Sequence, residues 1–163
     1  MTVLGIDPGT AACGFGIVRE RGNRLKAVDF GWWQTTARQR PEVRLKTIFD
    51  GVVELIEEYG PRAVVIEESF VGVDARTALS VGQARGAVLV AAASYGIECA
   101  EYAPSSVKQA VCGYGRAEKG QVERMVRTIL ALRAPPKTTH ASDALAVAIC
   151  HALAPPLLKA VGS

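Results

Sequence analysis

The stretch Val3-Leu4-Gly5-Ile6-Asp7-Pro8-Gly9-Thr10 is an apolar run that ends at one carboxylate and is followed by a Pro-Gly turn. This pattern predicts a buried first strand with Asp7 at its carboxyl end. A buried carboxylate is costly unless it is paired or binds a metal ion, so Asp7 is a candidate functional residue. The structural alternative is an Asp that only initiates the turn. Other acids converging on Asp7 would decide between the two interpretations.

Length and composition indicate an ordinary globular protein. The chain has 163 residues, of which 49% are hydrophobic and 21% charged, and we expect a single domain over 1–163 with a frayed tail at 155–163. The net charge of +3 permits a polyanionic partner without requiring one. No apolar run is long enough to span a bilayer, and no basic segment resembles the start of a signal peptide, so we expect a cytoplasmic protein.

The cysteines do not form a metal-binding or disulfide pattern. Cys13, Cys99, Cys112 and Cys150 are widely spaced, and no C-x-x-C pair occurs. This spacing favours four reduced core thiols over a zinc site or disulfides.

Hydrophobic periodicity predicts the order of the secondary structure. Strands at 13–21 and 25–35 are joined by the tight turn Gly22-Asn23, so the chain opens with three antiparallel strands. Helical spacing and breaker residues then define the rest: a helix from 41 to 59, a strand at 63–66, a helix at 75–95, a strand at 97–102, and helices at 104–111, 118–132 and 140–153. The fold class is therefore α/β, with a mixed five-stranded sheet of three antiparallel and then two parallel strands, flanked by helices.

Acidic residues end several elements at one edge of this predicted sheet. Glu67 ends the fourth strand as Asp7 ends the first, and the carboxyl ends of parallel neighbours lie side by side. We expect Asp143 in the first turn of the last helix, on the same face as His140. A lone first-turn acid that favours the helix dipole would not explain three such elements. Clustered carboxylates suit Mg²⁺ or Mn²⁺, and two such ions can promote hydrolysis of a phosphodiester.

Six stretches carry a family pattern in one order along roughly residues 1–153. They are Gly5-Ile6-Asp7-Pro8-Gly9, Val65-Ile66-Glu67-Glu68-Ser69-Phe70, Gly82-Gln83-Ala84-Arg85-Gly86, Val107-Lys108-Gln109, Ala117-Glu118-Lys119 and Ser142-Asp143-Ala144-Leu145-Ala146. Together they resemble the RuvC family of bacterial Holliday-junction resolvases, which have a ribonuclease H-like fold. The resemblance implies a homodimeric endonuclease that makes two symmetric nicks in four-way junction DNA. It also implies work beside the branch-migration proteins RuvA and RuvB.

The resemblance also implies the site residues. Asp7, Glu67 and Asp143 are the expected catalytic acids and metal ligands, with two Mg²⁺ ions expected and Mn²⁺ as a substitute. His140 stands at a fourth ligand position where many relatives have Asp, a change that should favour Mn²⁺. A His that only starts the helix is the alternative.

DNA contacts are expected from an aromatic residue and several cations. Phe70 matches a family aromatic that stacks on a base, with a core phenylalanine as the alternative. Lys108 and Lys119, each expected near a helix start, match lysines beside the scissile backbone. Further candidates for backbone contact are Arg76, Arg85 and Arg116.

Three other interpretations compete with a resolvase. The stretch Ile6-Asp7-Pro8-Gly9-Thr10 also resembles the phosphate loop of actin-like ATPases and sugar kinases, which need a second domain that 163 residues cannot hold. A junction-binding module without cleavage would lack an acid. The YqgF-type nucleases share a similar first strand.

The long helix at 75–95 is the expected dimer interface. Ala78, Gly82 and Gly86 recur at four-residue spacing and would allow a second helix to approach closely, with Leu79 and Val90 adding apolar area, as does Ala93. The alternative is that this face packs on the sheet.

Overall fold

The computed structural model describes residues 1–68 and 74–155. The strands are β1 (Thr2–Asp7), β2 (Ala12–Arg21), β3 (Arg24–Gln34), β4 (Ala63–Glu67) and β5 (Glu98–Tyr102). The helices are α1 (Pro41–Tyr59), α2 (Ala75–Ser94), α3 (Pro104–Cys112), α4 (Lys119–Ile129) and α5 (Thr139–Leu153).

The five strands form one sheet in the order β3-β2-β1-β4-β5. The β1–β2 and β2–β3 pairs are antiparallel, whereas β4 runs parallel to β1 and to β5. The predicted mixed sheet is thus confirmed. The hairpin turn between β2 and β3 needs a left-handed residue, and Gly22 supplies it with φ of 60°.

Successive side chains of each strand point to opposite faces of the sheet and pack into two separate hydrophobic cores. On β1, Val3 packs with the cluster beneath α3, α4 and α5, whereas Leu4 and Ile6 pack with the cluster beneath α1 and α2. On β4, Val65 joins the first cluster and Ile66 the second. Because successive side chains on a strand point to opposite faces, the last residues of both strands fall on the α5 side.

Glycines in β1 and β2 let α5 lie directly on the sheet. A Cβ at Gly5 would stand 2.1 Å from the carbonyl oxygen of Ala144, and one at Gly14 would stand 2.1 Å from that of His140. Gly16, which is paired with Gly5 in the β1–β2 register, faces the same helix. Glycine inside a strand often marks such a close backbone approach. These three residues, which we call the glycine seat, set the height of α5 above the sheet.

The start of α5 corrects one prediction. Thr138 caps the helix by accepting a hydrogen bond from the Ala141 N–H at 3.2 Å, and the helix begins at Thr139. Asp143 therefore lies in the second turn, and its expected place in the first turn is wrong. The N-terminal helix dipole, which acts within the first turn, does not account for this acid.

Two further features bear on the expectations about the environment of the protein. All four cysteines are free thiols, with Cys13 and Cys150 buried. None of the helices in the described part of the chain has both the length and the apolar character needed to cross a bilayer.

Candidate active site

Asp7 and Glu67 lie beside each other at the carboxyl ends of β1 and β4. Ile6 pairs with Ile66 in the parallel register, so the acid that follows each of them lies at the same level of the sheet. Both acids have the strand parity that faces α5. The side chain of Asp7 is only 14% exposed, which makes its carboxylate sensitive to nearby charge.

The second turn of α5 brings the third acid, and its first turn brings His140. The imidazole Nδ1 of His140 lies 2.7 Å from Oδ2 of Asp7, within hydrogen-bond distance. Asp143 is 23% exposed and accepts a hydrogen bond at 2.9 Å from the Lys119 Nζ. Because residues three apart share a helix face, His140 and Asp143 point to the same edge of the sheet, as predicted.

The two predicted lysines belong to the helices that flank α5. Lys119 is the first residue of α4, as expected, and its ammonium bridges α4 to Asp143. Lys108 is the fifth residue of α3, so its expected place near a helix start is wrong. Lys108 nevertheless lies near enough to Glu67 to lower its pKa through charge attraction, as Lys119 also does.

Burial and mutual repulsion make Glu67 hard to ionise. Desolvation, followed by the negative charges of Asp143 and Asp7, raises the pKa of Glu67 from 4.5 to about 7. Glu67 thus lies near enough to Asp7 and Asp143 to be repelled by both charges. A carboxylate held in its charged form only with difficulty is one that a bound cation would stabilise.

The neighbouring groups respond to the same cluster. Desolvation raises the pKa of Asp143, although the Lys119 hydrogen bond opposes the rise. Partial burial opposes charge on Lys119, but its hydrogen bond and attraction to Asp143 bring a net rise in its pKa. The hydrogen bond to Asp7 raises the pKa of His140. Lys119 and His140 are thus each hydrogen-bonded to one of the acids.

Comparison with known proteins identifies the family. The sequence pattern of the family described as "Crossover junction endodeoxyribonuclease RuvC" matches residues 3–151. A crossover junction endodeoxyribonuclease RuvC of Heliobacterium modesticaldum is 53% identical over 152 residues, which are 93% of this chain and 94% of that protein. The chain belongs to the RuvC family.

Solved structures of RuvC agree with this assignment. Thermus thermophilus RuvC superimposes with a TM-score of 0.87 at 38% identity, with 94% of each chain covered. Thermus thermophilus RuvC in complex with Holliday junction substrate gives a TM-score of 0.86 at 36% identity, again with 94% of each chain covered. The predicted ribonuclease H-like fold is confirmed, and membership of RuvC excludes the actin-like ATPase interpretation.

The site of this RuvC family member contains the carboxylate oxygens that Mg²⁺ prefers, but these oxygens are not gathered around one point. Within residues 1–68 and 74–155, no three His, Cys, Asp or Glu side chains are grouped closely enough to hold one ion together. Asp7 and Asp143 are instead bonded to His140 and Lys119. Carboxylate oxygens fit a hard divalent ion, and the raised pKa of Glu67 shows that added positive charge would be favourable there. A divalent ion bound by Asp7 and Asp143 would have to replace these hydrogen bonds.

The raised pKa of Glu67 predicts a cost to stability that depends on pH. The unfolded carboxyl ionises near pH 4.5 and the folded one near 7, so the cost grows between these values and is full above 7. We expect Glu67→Gln to stabilise the metal-free protein by about 1–2 kcal/mol at pH 8 and by less than half as much at pH 5. Urea unfolding in EDTA measures this, with the exposed Glu54→Gln as control. A gain that does not change with pH would contradict the prediction.

The other residues that were predicted to contact DNA differ in exposure and in ion pairing. Arg76 is exposed in the first turn of α2, and Arg116 is exposed in the loop before α4. Arg85 is half-buried and forms a two-point ion pair with Glu101 of β5, which ties α2 to the edge strand. Phe70 lies outside the described residues. The DNA-binding roles of all four stay predictions.

Two structural features of this RuvC family member were not predicted from its sequence. The glycine seat could have been suspected because glycines inside strands signal close backbone approach. The second feature is a network around Thr10, three residues after Asp7. The Arg44 guanidinium donates to Thr35 Oγ1 at 3.0 Å and to Thr10 Oγ1 at 3.3 Å, and Thr10 is also bonded to Ser80. No local motif marks these four residues, because they come from four separate segments.

Proposed function

We propose that this chain resolves four-way DNA junctions by hydrolysing one phosphodiester in each of two strands of like polarity. The observation that carries the proposal is that the parallel register of β1 and β4 and the contacts of α5 place Asp7, Glu67 and Asp143 at one sheet edge. The raised pKa values of Glu67 and Asp143 agree with this placement. Membership of the RuvC family supports the substrate, because Thermus thermophilus RuvC has been solved in complex with Holliday junction substrate.

Asp7, Glu67 and Asp143 would hold divalent ions, which we propose to be two Mg²⁺ with Mn²⁺ as a substitute. Bound there, the ions would supply electrostatic stabilisation of the attacking and leaving oxygens. The acids themselves bind and orient the ions. Because the cluster is half-buried, its charges act at lower effective dielectric than in bulk water.

The cations around the acids would position the substrate. Lys119 is 58% exposed although it bonds Asp143, so its ammonium can exchange the carboxylate for a DNA phosphate. Lys108 lies on the same side of the sheet and would contact a neighbouring phosphate. Such contacts supply affinity without reading sequence.

The direct test of this function is cleavage of a synthetic four-way junction. The protein is incubated with the junction and Mg²⁺ or Mn²⁺, and the nicks are mapped on all four strands. We expect paired nicks at symmetric positions in two strands of like polarity. Binding without nicks in either metal would indicate a junction-binding module, and equal nicking of linear duplex would indicate a general nuclease.

His140 is proposed as the fourth metal ligand. An imidazole in place of a carboxylate favours Mn²⁺ over Mg²⁺, so we expect His140→Asp to lower the ratio of the Mn²⁺ rate to the Mg²⁺ rate by about threefold or more, ~0.7 kcal/mol. Single-turnover rates in each metal measure this ratio. If His140→Asp leaves the ratio unchanged, His140 acts only through its hydrogen bond to Asp7.

We propose that the chain is a homodimer through α2. The residues of α2 that pack on the core are Ala84, Val88, Ala91 and Ala92. A different stripe is left outside: Leu79 is 65% exposed and Val90 is 59% exposed, and a Cβ built on Gly82 or Gly86 meets no atom within 4 Å. With Ala93, these residues recur at spacings of three and four, so they share one helix face. This exposure supports a dimer face over the alternative that the face packs on the sheet.

A charge on this stripe should separate the two subunits. We expect Gly82→Glu to give folded monomers that lose paired nicking, because a symmetric interface meets each added charge with its own copy. Light scattering, circular dichroism and strand-by-strand nick mapping test this. Asn23→Asp is the control, since it adds the same charge at the exposed β2–β3 turn, away from α2. A wild-type monomer at micromolar concentration that still makes paired nicks would contradict the dimer.

The remaining proposals concern the cellular setting. We propose that the protein works in the cytoplasm beside RuvA and RuvB, as one domain over 1–163. The free thiols of Cys13, Cys99, Cys112 and Cys150 support a reducing compartment. Copurification of tagged protein with the two branch-migration proteins tests the partnership.

A further inference from the structure

A small cleft opens beside the loop that follows Asp7. Its volume is about 220 Å³, and its walls come from the β1–β2 loop, the start of α1 and the first turns of α2. The lining residues are Thr10, Pro41, Arg44, Leu45, Arg76, Leu79, Ser80 and Gln83. A volume below the roughly 300 Å³ of typical small-molecule pockets suits one anionic group better than a whole nucleotide.

The cleft carries two arginines that no acid neutralises. In the part of the chain that the structure describes, neither Arg44 nor Arg76 forms a salt bridge. Arg44 is half-buried and is held by the hydroxyls of Thr10 and Thr35, which orient its guanidinium without cancelling its charge. A positioned and uncompensated guanidinium beside hydroxyl groups is a good receptor for a phosphate.

The surrounding helices add to the positive potential. Pro41 is the first residue of α1, and Arg76 is the second residue of α2, so two helix starts border the cleft. Two acids lie at these helix starts. Glu42 of α1 forms an ion pair with Arg40, and Asp74 caps α2. Its carboxylate is engaged by the backbone N–H groups of Arg76 and Thr77 and by the Thr77 hydroxyl.

The cleft lies across the sheet edge from the two lysines. Lys108 and Lys119 belong to α3 and α4, which cover the same face as α5, whereas α1 and α2 cover the opposite face. Thr10 is separated from Asp7 only by Pro8 and Gly9. A DNA strand that presents one phosphate to the acids at this edge would therefore bring nearby phosphates to both faces.

We infer that the cleft formed by Thr10, Arg44, Arg76 and Ser80 binds a backbone phosphate of the cleaved DNA strand, close to the phosphate that meets the acids. This inference rests on the proposed function. It assigns Arg44, which no motif marks, as a DNA-binding residue, and it gives Arg76 a defined partner. Holding the strand on both sides of the acids would fix which phosphodiester reaches them.

Binding measured against salt concentration tests the cleft. Kd for a four-way junction is determined in EDTA for wild type, Arg44→Gln, Arg76→Gln, the double variant and Arg24→Gln. Arg24 is an exposed arginine at the β2–β3 hairpin, which lies at the opposite end of the sheet. The substitution Arg24→Gln removes one positive charge, as each single cleft substitution does. We expect the double variant to bind about tenfold more weakly and the slope of log K against log salt to fall by about 0.9. Arg24→Gln should retain the wild-type slope.

Neutral backbone substitution locates the phosphate. Single methylphosphonates are placed in turn at the phosphates that flank the mapped nick. We expect one position to weaken binding by wild type without further weakening binding by the double variant, whereas phosphates that meet Lys108 or Lys119 should affect both proteins. Arg76→Gln alone should show part of the effect, and because Arg76 is exposed, this variant keeps its fold even if Arg44→Gln does not.

Each outcome decides the inference. If wild type neither binds nor cuts a four-way junction, the proposed function fails. If wild type does both and the double variant keeps the wild-type slope, or every methylphosphonate affects both proteins equally, the cleft does not bind DNA. Leu79 also belongs to the proposed dimer stripe, so light scattering accompanies each variant. A double variant that is weak only because it has become monomeric would overturn the inference as well.

Discussion

Asp7→Asn is expected to lower the rate of junction cleavage by at least about a hundredfold, ~2.7 kcal/mol of barrier, while Kd for the junction stays within about twofold of wild type. The amide has the shape of the carboxylate and can still accept a hydrogen bond from His140, so the local fold is preserved. It carries no charge, so it cannot hold a divalent ion. DNA affinity comes mainly from cations that contact phosphates, and an acid contributes nothing favourable to it.

Single-turnover cleavage and binding in EDTA measure the two quantities separately. Asp50→Asn is the matched control, because Asp50 is a partly exposed acid on α1 that pairs with Lys46, away from the sheet edge. It should cleave at the wild-type rate. If Asp7→Asn keeps more than about a tenth of the wild-type rate, ~1.4 kcal/mol, the assignment of Asp7 as a metal ligand is wrong.

Gly5→Ala is expected to destabilise the protein by about 3 kcal/mol or more. The added Cβ would lie 2.1 Å from the backbone oxygen of Ala144 and 2.9 Å from the Cβ of Ala148. Both contacts belong to the body of α5, which cannot move locally as the end of a flexible side chain could. The helix must rise from the sheet, and the core around Leu145 and Ile149 loses its packing.

Urea unfolding measures this cost. Gly120→Ala is the control, because a Cβ there would meet only the end of the Arg124 side chain at 3.6 Å, and alanine favours the helix. The control should be neutral or up to about 1 kcal/mol more stable than wild type. We also expect Gly5→Ala to lower cleavage, since α5 carries Asp143 and His140. A Gly5→Ala protein as stable as wild type would show that α5 does not depend on the glycine seat.

Local sequence was informative wherever one short segment contains the physical cause. The apolar run before Asp7, the Gly22-Asn23 turn and the helical period from Pro41 each predicted an element that the structure contains. Strand parity and parallel register then brought Asp7 beside Glu67, which required only that β1 and β4 be neighbours. The helix start was placed less well, because Thr138 caps α5 and leaves Asp143 in the second turn.

The sequence by itself determined the order of elements, the mixed sheet and the three acids at its edge, because hydrophobic period and strand ends are properties of contiguous residues. Only the tertiary structure decided which charges meet. It paired His140 with Asp7, Lys119 with Asp143, and Arg85 with Glu101. It also gathered Thr10, Arg44 and Ser80 into one cleft. The physical reason is that side-chain contacts depend on how closely helices approach the sheet, which depends here on the absence of a Cβ at Gly5 and Gly14.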